Sequence, residues 1–161
     1  MHWNPEEQVR TGWSLVKWTV LGSCVGVLGG SGSALFLVSL DYVTGIRLQT
    51  PWLLFLLPLG GCLIVLLYQY FGKGCEGGNN LVLEEIHRPS AGVPGRLAPV
   101  ILLATILTHL FGGSAGREGT AVQMGGGLAG WLSRRLGLDQ FHTRILLMAG
   151  IMIPAMRRMR V

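Results

Sequence analysis

The chain has 161 residues, of which 50% are hydrophobic and 13% charged, with 25 glycines and a formal net charge of +5. So little charge on so apolar and glycine-rich a chain points to a membrane protein rather than a soluble domain. No basic helix face interleaved with aromatics is present to bind nucleic acid, and three cysteines without CxxC or Cys/His spacing suggest neither a disulfide framework nor a zinc site.

The opening MHWNPEEQVRTGWSLVKW carries early acidic residues and leads into an apolar run too long for a signal h-region, so it does not read as a cleaved secretory signal. From Trp18 to Leu40 there is no charge, a run of roughly 23 residues that suffices to cross a hydrocarbon core of ~30 Å. Gly22, Gly26, Gly30 and Ala34 recur every fourth position within it, the pattern of a helix-packing face in lipid. Asp41 and Arg47 are expected in the loop that follows. A second charge-free run, residues 48–72, places Pro51 in its first turn and has Pro58, Gly60 and Gly61 where they would bend its first half. Arg10 and Lys17 before the first span, with Lys73, Arg88 and Arg96 after the second, favour a cytoplasmic N-terminus.

Residues 73–96 are too polar to span. A short helix is expected there, capped by Asn79 or Asn80 and stopped before Pro89. A third charge-free run, residues 97–116, is expected to cross the membrane. After it, GGSAGREGTAVQMGGGLAGWLSRRLG opens as a glycine-rich turn and continues as a small-residue helix with Gly126 and Gly130 four apart. This helix closes at Arg134 and Arg135, whose charges suit the negative end of the helix dipole. Only about 15 residues separate Glu118 from Arg134, so the helix is short for a crossing and is expected to begin inside the membrane. A further helix begins near Asp139.

Two short helices that each start in a glycine-rich turn offer uncapped backbone N–H groups and the positive ends of two dipoles. Aimed at one point, they form an anion site without a buried cation. Glycines such as Gly78, Gly116 and Gly119 let an ion reach the backbone, and the amides of Asn79 and Asn80 either add donors or cap their own helix. Glu118 has two readings. As a carboxylate at a buried helix start it can occupy the anion site, yielding it when protonated and so acting as a gate and proton acceptor; alternatively it caps its helix or pairs with Arg117. Arg117 is expected to point away from the site and to meet Glu84 or Glu85 in a structural charge network, while a plain surface role for the glutamate pair stays open. His87, His109 and His142 lack metal-ligand spacing, and His109 reads as a hydrogen-bonded interior residue.

GREGTAVQMGG, with Arg117, Glu118 and Gly119, resembles the GREGP motif of the CLC family of chloride channels and proton-coupled anion antiporters. GGNNLVLEEI resembles that family's GSGIPEIE turn at the matching distance upstream, and the similarity runs from about residue 13 to residue 150. The resemblance implies an all-α membrane protein, the N-terminal part of a CLC-type inverted repeat built from full-length and half-length tilted helices. It further implies halide and proton as the transported species, a homodimer with one pathway per subunit, and Glu118 as the external gating glutamate. Anion contacts would come from Gly78, Asn79, Asn80, Gly116, Gly119 and Thr120. No cofactor, metal or enzymatic activity is implied. Asn79 stands where chloride-selective members carry serine and Thr120 where they carry proline; both resemble the fluoride/proton antiporter branch, which exports fluoride from bacteria and implies the bacterial plasma membrane. Extra amide donors suit the small, strongly hydrated fluoride ion, while chloride remains open.

Residues 1–150 are read as the N-terminal portion of such a transport domain and residues 151–161 as an aberrant, out-of-frame tail, because MIPAMRRMRV departs from the glycine-rich stretch expected there. The second repeat is absent, with its internal proton glutamate, second anion loop and inner-gate tyrosine. The chain alone is therefore expected not to transport. A competing reading is a small membrane-embedded structural or interaction protein. A phosphate-binding enzyme ranks last, since GSAGREGT lacks the lysine of a P-loop and follows a helical span rather than a strand.

Overall fold

The fold is taken from a computed structural model that describes residues 5–87 and 92–156, with side chains described for 12–87 and 92–152. Among these residues all regular structure is helical: α1 (Pro5–Gln49), a 3-10 helix (Pro51–Leu56), α2 (Leu57–Phe71), α3 (Asn79–His87), α4 (Leu97–Leu110), α5 (Arg117–Arg135) and α6 (Gln140–Met156).

The first helix is longer than its apolar run. Asp41 and Arg47 do not lie in a loop as expected but continue α1 to Gln49. Nothing between Leu40 and Gln49 compels a break, since Gly45 alone is tolerated in a helix. Pro51 supplies the stop: the residue before a proline is driven out of the α region, and Thr50 sits at φ −129°, ψ 73°. Its hydroxyl donates to the Ile46 carbonyl at 2.7 Å, closing the last turn. Pro58 lies in the first turn of α2, where its missing N–H costs little. The bend expected there is the 3-10 to α junction.

Among the described residues two stretches are long and apolar enough to cross a membrane, Gly12–Gln49 and Pro51–Phe71. The third expected span is corrected. α4 has 14 residues, about 21 Å at 1.5 Å per residue, because Gly112 at φ +86° turns the chain and the Gly113 N–H closes on the Thr108 carbonyl at 2.8 Å. α4 is instead a core helix, with Leu97, Ala98, Val100, Ile101, Ala104 and Thr105 buried.

The packed face of α1 runs through Leu21, Val25, Gly29, Ser33, Phe36 and Leu40, at the three-and-four spacing of a single helix stripe. Leu21 and Val25 join Val82, Leu97, Ala129, Leu146 and Leu147 in one apolar cluster. Phe36 and Leu40 join Ala98, Ile101 and Met124 in another. The glycine stripe read as a packing face is not this one. A methyl group placed on Gly22, Gly26 or Gly30 would meet nothing within 4 Å, because each lies one position, about 100° of helix rotation, from the buried stripe.

α5 is the hub. A methyl on Gly126 would come within 2.7 Å of Val82 on α3, and one on Gly127 within 3.1 Å of the Ala98 nitrogen on α4. On α6, a methyl at Gly150 would come within 2.6 Å of the Gly125 carbonyl oxygen. Three consecutive residues, Gly125, Gly126 and Gly127, thus each receive a different helix, and the separations require glycine at Gly126, Gly127 and, on the α6 side, Gly150. α6 continues without interruption past residue 150 to Met156, so no structural boundary marks the expected start of the tail. Residues 157–161 of that tail, and Arg88 and Pro89, lie outside the described residues.

Candidate functional site

Both short helices form where expected. α3 begins at Asn79 after a turn in which Gly74 (φ +81°) and Gly78 (φ +52°) occupy the left-handed region, a conformation costly for any residue with a Cβ. α5 begins at Arg117 with Gly116 as its N-cap, which makes no side-chain capping bond. Glu118 stands in the first turn, and Arg134 and Arg135 in the last.

The two helices run parallel, with their N-termini together. The Asn79 Nδ2 lies 3.3 Å from where a Gly119 Cβ would stand, and Val82 meets Gly126 further along. Glu85 then lines a cavity of about 320 Å³ with Gly130, Ser133 and Arg134 at the far end of α5. Two positive dipole ends therefore point to one region bounded by Gly78, Asn79, Gly116 and Gly119. Around these helix starts Asn79, Asn80, Gly116, Arg117 and Glu118 are all exposed.

Arg117 is at the start of α5 and Glu85 beside its last turns, about 20 Å along a helix rising 1.5 Å per residue. Glu85 is buried and shares its cavity with Arg134, whose guanidinium donates to the Val93 carbonyl. At the same end Arg144 of α6 donates to the His87 carbonyl at 2.8 Å, satisfying the C-terminus of α3 with a cation.

Thr120 is buried, and its hydroxyl bridges the N-cap of its own helix and α4. It donates to the Gly116 carbonyl at 3.1 Å and shares a 3.1 Å hydrogen bond with the Thr105 hydroxyl. Its backbone N–H is also used within α5, to Gly116 at 3.3 Å. In this arrangement Thr120 ties the site's helix to α4. His109 is a hydrogen-bonded interior residue, its Nδ1 at 2.9 Å from the Thr105 carbonyl. His142 stacks on Trp18, with ring centroids 5.1 Å apart. Among the described residues no group of three or more His, Cys, Asp or Glu side chains is placed to hold a metal ion.

One residue beside this region carried no signal in the sequence reading. Gln123, on α5, brings its amide to 3.5 Å from where a Gly78 Cβ would stand. Its Oε1 is buried without a hydrogen-bond partner among the described residues. Glutamine on a small-residue helix has no spacing that marks it, and only the turn placed opposite reveals it.

The family model for voltage gated chloride channels matches residues 60–152. The chain is 49% identical over 137 residues to a chloride/fluoride channel protein of Pseudomonas syringae pv. tomato, covering 85% of this chain and 30% of that protein. It is also similar to the crystal structure of a CLC-type fluoride/proton antiporter, with a TM-score of 0.79 at 35% identity, over 88% of this chain and 36% of that one. The chain thus spans about a third of the length of the relatives it matches.

Proposed function

The chain belongs to the voltage-gated chloride channel family, and on that premise we propose that residues 1–150 form the N-terminal portion of a fluoride/proton antiporter with Glu118 as its external gate. The reading rests on the convergence of the α3 and α5 N-termini, with the Asn79 amide against Gly119. An anion there meets backbone N–H groups, two dipole ends and neutral amides, which can take the place of its hydration shell without holding it as tightly as a buried cation would. The Glu118 carboxylate, in the first turn of α5, can claim the same donors when charged and gives them up on protonation. Proton uptake and anion entry then alternate at one place. Fluoride is favoured over chloride because Asn79 adds an amide donor where a serine hydroxyl would serve chloride, and because one of the two relatives is described as a fluoride/proton antiporter, the other being described by both ions.

The family consists of integral membrane proteins. Lys17 lies in a cavity with Asp139 and His142, and Arg134 and Arg135 end α5 close by. The N-terminal end of α1 and the C-terminal ends of α3 and α5 thus gather cations on one side, which is the cytoplasmic side of a bacterial plasma membrane by the positive-inside rule. The complete transporter is a homodimer in this reading.

Liposome efflux tests the ion. In a full-length protein in which residues 1–150 replace the corresponding segment of the Pseudomonas syringae relative, fluoride is expected to leave faster than chloride; equal rates would defeat the fluoride assignment. The 161-residue chain alone is expected to move neither ion, since Asn79, Asn80 and Glu118 form an open wall rather than a closed pathway. Saturable efflux from vesicles holding only this chain would show otherwise.

A further inference from the structure

We propose that the cavity between the N-terminal part of α1 and the turn joining α5 to α6 binds a phospholipid with a primary-ammonium headgroup, a phosphatidylethanolamine, its phosphate at Lys17 and its ammonium at Asp139. The proposal needs only that α1 crosses the membrane, and it stands apart from the anion-site reading.

The cavity holds about 550 Å³, within the ~300–1,000 Å³ of small-molecule sites. Lys17 on α1 and Asp139 at the start of α6 both line it, yet Lys17 makes no ion pair among the described residues. Asp139 has the His142 Nδ1 at 4.0 Å, and that ring is held against Trp18 by stacking. The carbonyl of Asp139 accepts from the Thr143 N–H at 2.9 Å, which fixes its place in the backbone. Two opposite charges thus line one cavity without closing on each other. A zwitterion can pair with both, whereas a plain anion is drawn to Lys17 and repelled by Asp139.

The place along α1 is that of a headgroup. Lys17 is the last charge before the charge-free run that begins at Trp18, so its ammonium lies where the hydrocarbon ends. Trp13, one turn earlier on the same face, is exposed, as tryptophans at a membrane interface are. Val16, Val20 and Leu136 line the same cavity and are exposed as well. The cavity therefore combines a charged rim with an apolar wall that runs deeper along α1. A lipid matches both parts, and a soluble phosphate only the first. A primary ammonium also brings three N–H donors to the Asp139 carboxylate, and a trimethylated headgroup brings none.

Native mass spectrometry of the 161-residue chain in detergent, titrated with equal amounts of palmitoyl-oleoyl phosphatidylethanolamine, phosphatidylcholine and phosphatidylglycerol, tests the assignment. One saturable phosphatidylethanolamine adduct is expected, preferred about tenfold over each of the others, the worth of one charge-assisted hydrogen bond. Lys17→Gln is expected to weaken all three lipids about tenfold, because each keeps a phosphate. Asp139→Asn is expected to bring phosphatidylethanolamine down to the level of phosphatidylcholine and to leave phosphatidylcholine unchanged, a split that a generally sticky basic surface would not give. Circular dichroism reports whether each variant is folded. Equal binding of the three lipids, or a preference that survives Asp139→Asn in the folded chain, would overturn the proposal. Glycerophosphoethanolamine, the same headgroup without acyl chains, is expected not to compete; displacement at equal concentration would rule out a lipid as the occupant. The full-length chimera is expected to keep the adduct, and its loss there would assign the cavity to another segment of the transporter.

Discussion

Replacing Glu118 by glutamine in the full-length chimera is expected to reduce proton movement to the leak of empty liposomes, and to make any remaining anion flux independent of pH. Glutamine keeps the size of the side chain and its place in the first turn of α5, but it can neither carry a proton nor compete for N–H donors as an anion. The charged carboxylate and the transported ion want the same groups, so removing the charge should leave the anion uncontested and the proton without a carrier. Fluoride-driven acidification and pH-driven fluoride uptake measure the two directions of coupling. If both persist at the unsubstituted level, Glu118 is a helix cap and the gate lies elsewhere.

The second large effect is structural and comes from two glycines that look alike in the sequence. Gly150→Leu forces a side chain toward the Gly125 carbonyl oxygen, which a Cβ alone would approach to 2.6 Å. α5 and α6 must then separate, at an overpacking cost of about 1–3 kcal/mol or more, a large share of a typical stability of roughly 5–15 kcal/mol. Gly26→Leu, where a Cβ meets nothing within 4 Å, should not destabilise the fold, and replacing a helix-interior glycine by a good helix former should stabilise it by up to about 1 kcal/mol. Thermal unfolding in detergent, followed by loss of the folded peak in gel filtration, checks both. Equal destabilisation by the two variants would mean that Gly26 faces something this chain does not contain.

That contrast marks where the sequence was legible and where it was not. The starts of α3 and α5 could be read because glycine turns, Asn79 and the charged pair at 117–118 are local signals, and a helix N-terminus is a local object. The run of α1 through Asp41 and Arg47 is not legible from charge, because charge does not break a helix and only Pro51 has the backbone chemistry to end this one. Which face of α1 is buried could not be read from glycine spacing, since small residues permit close packing on either of two neighbouring stripes and the partners choose. The surroundings of Glu85 could not be read for the same kind of reason: which end of a neighbouring helix lies beside it is a tertiary fact, and it sets Glu85 in one cavity with Arg134. Gln123 became visible only once Gly78 was set opposite it.

Gly125, Gly126 and Gly127 also bear on how this protein comes to be assembled. Each glycine costs a helix interior about 1 kcal/mol relative to alanine, so the middle of α5 is a weak helix taken by itself. What holds it are Val82, Ala98 and Gly150 from three separate helices, and the last of these is made after α5 in chain order. Helix formation at the centre of α5 is therefore coupled to the arrival of α6, and the donors at its N-terminus take their final aim only when that later segment has docked.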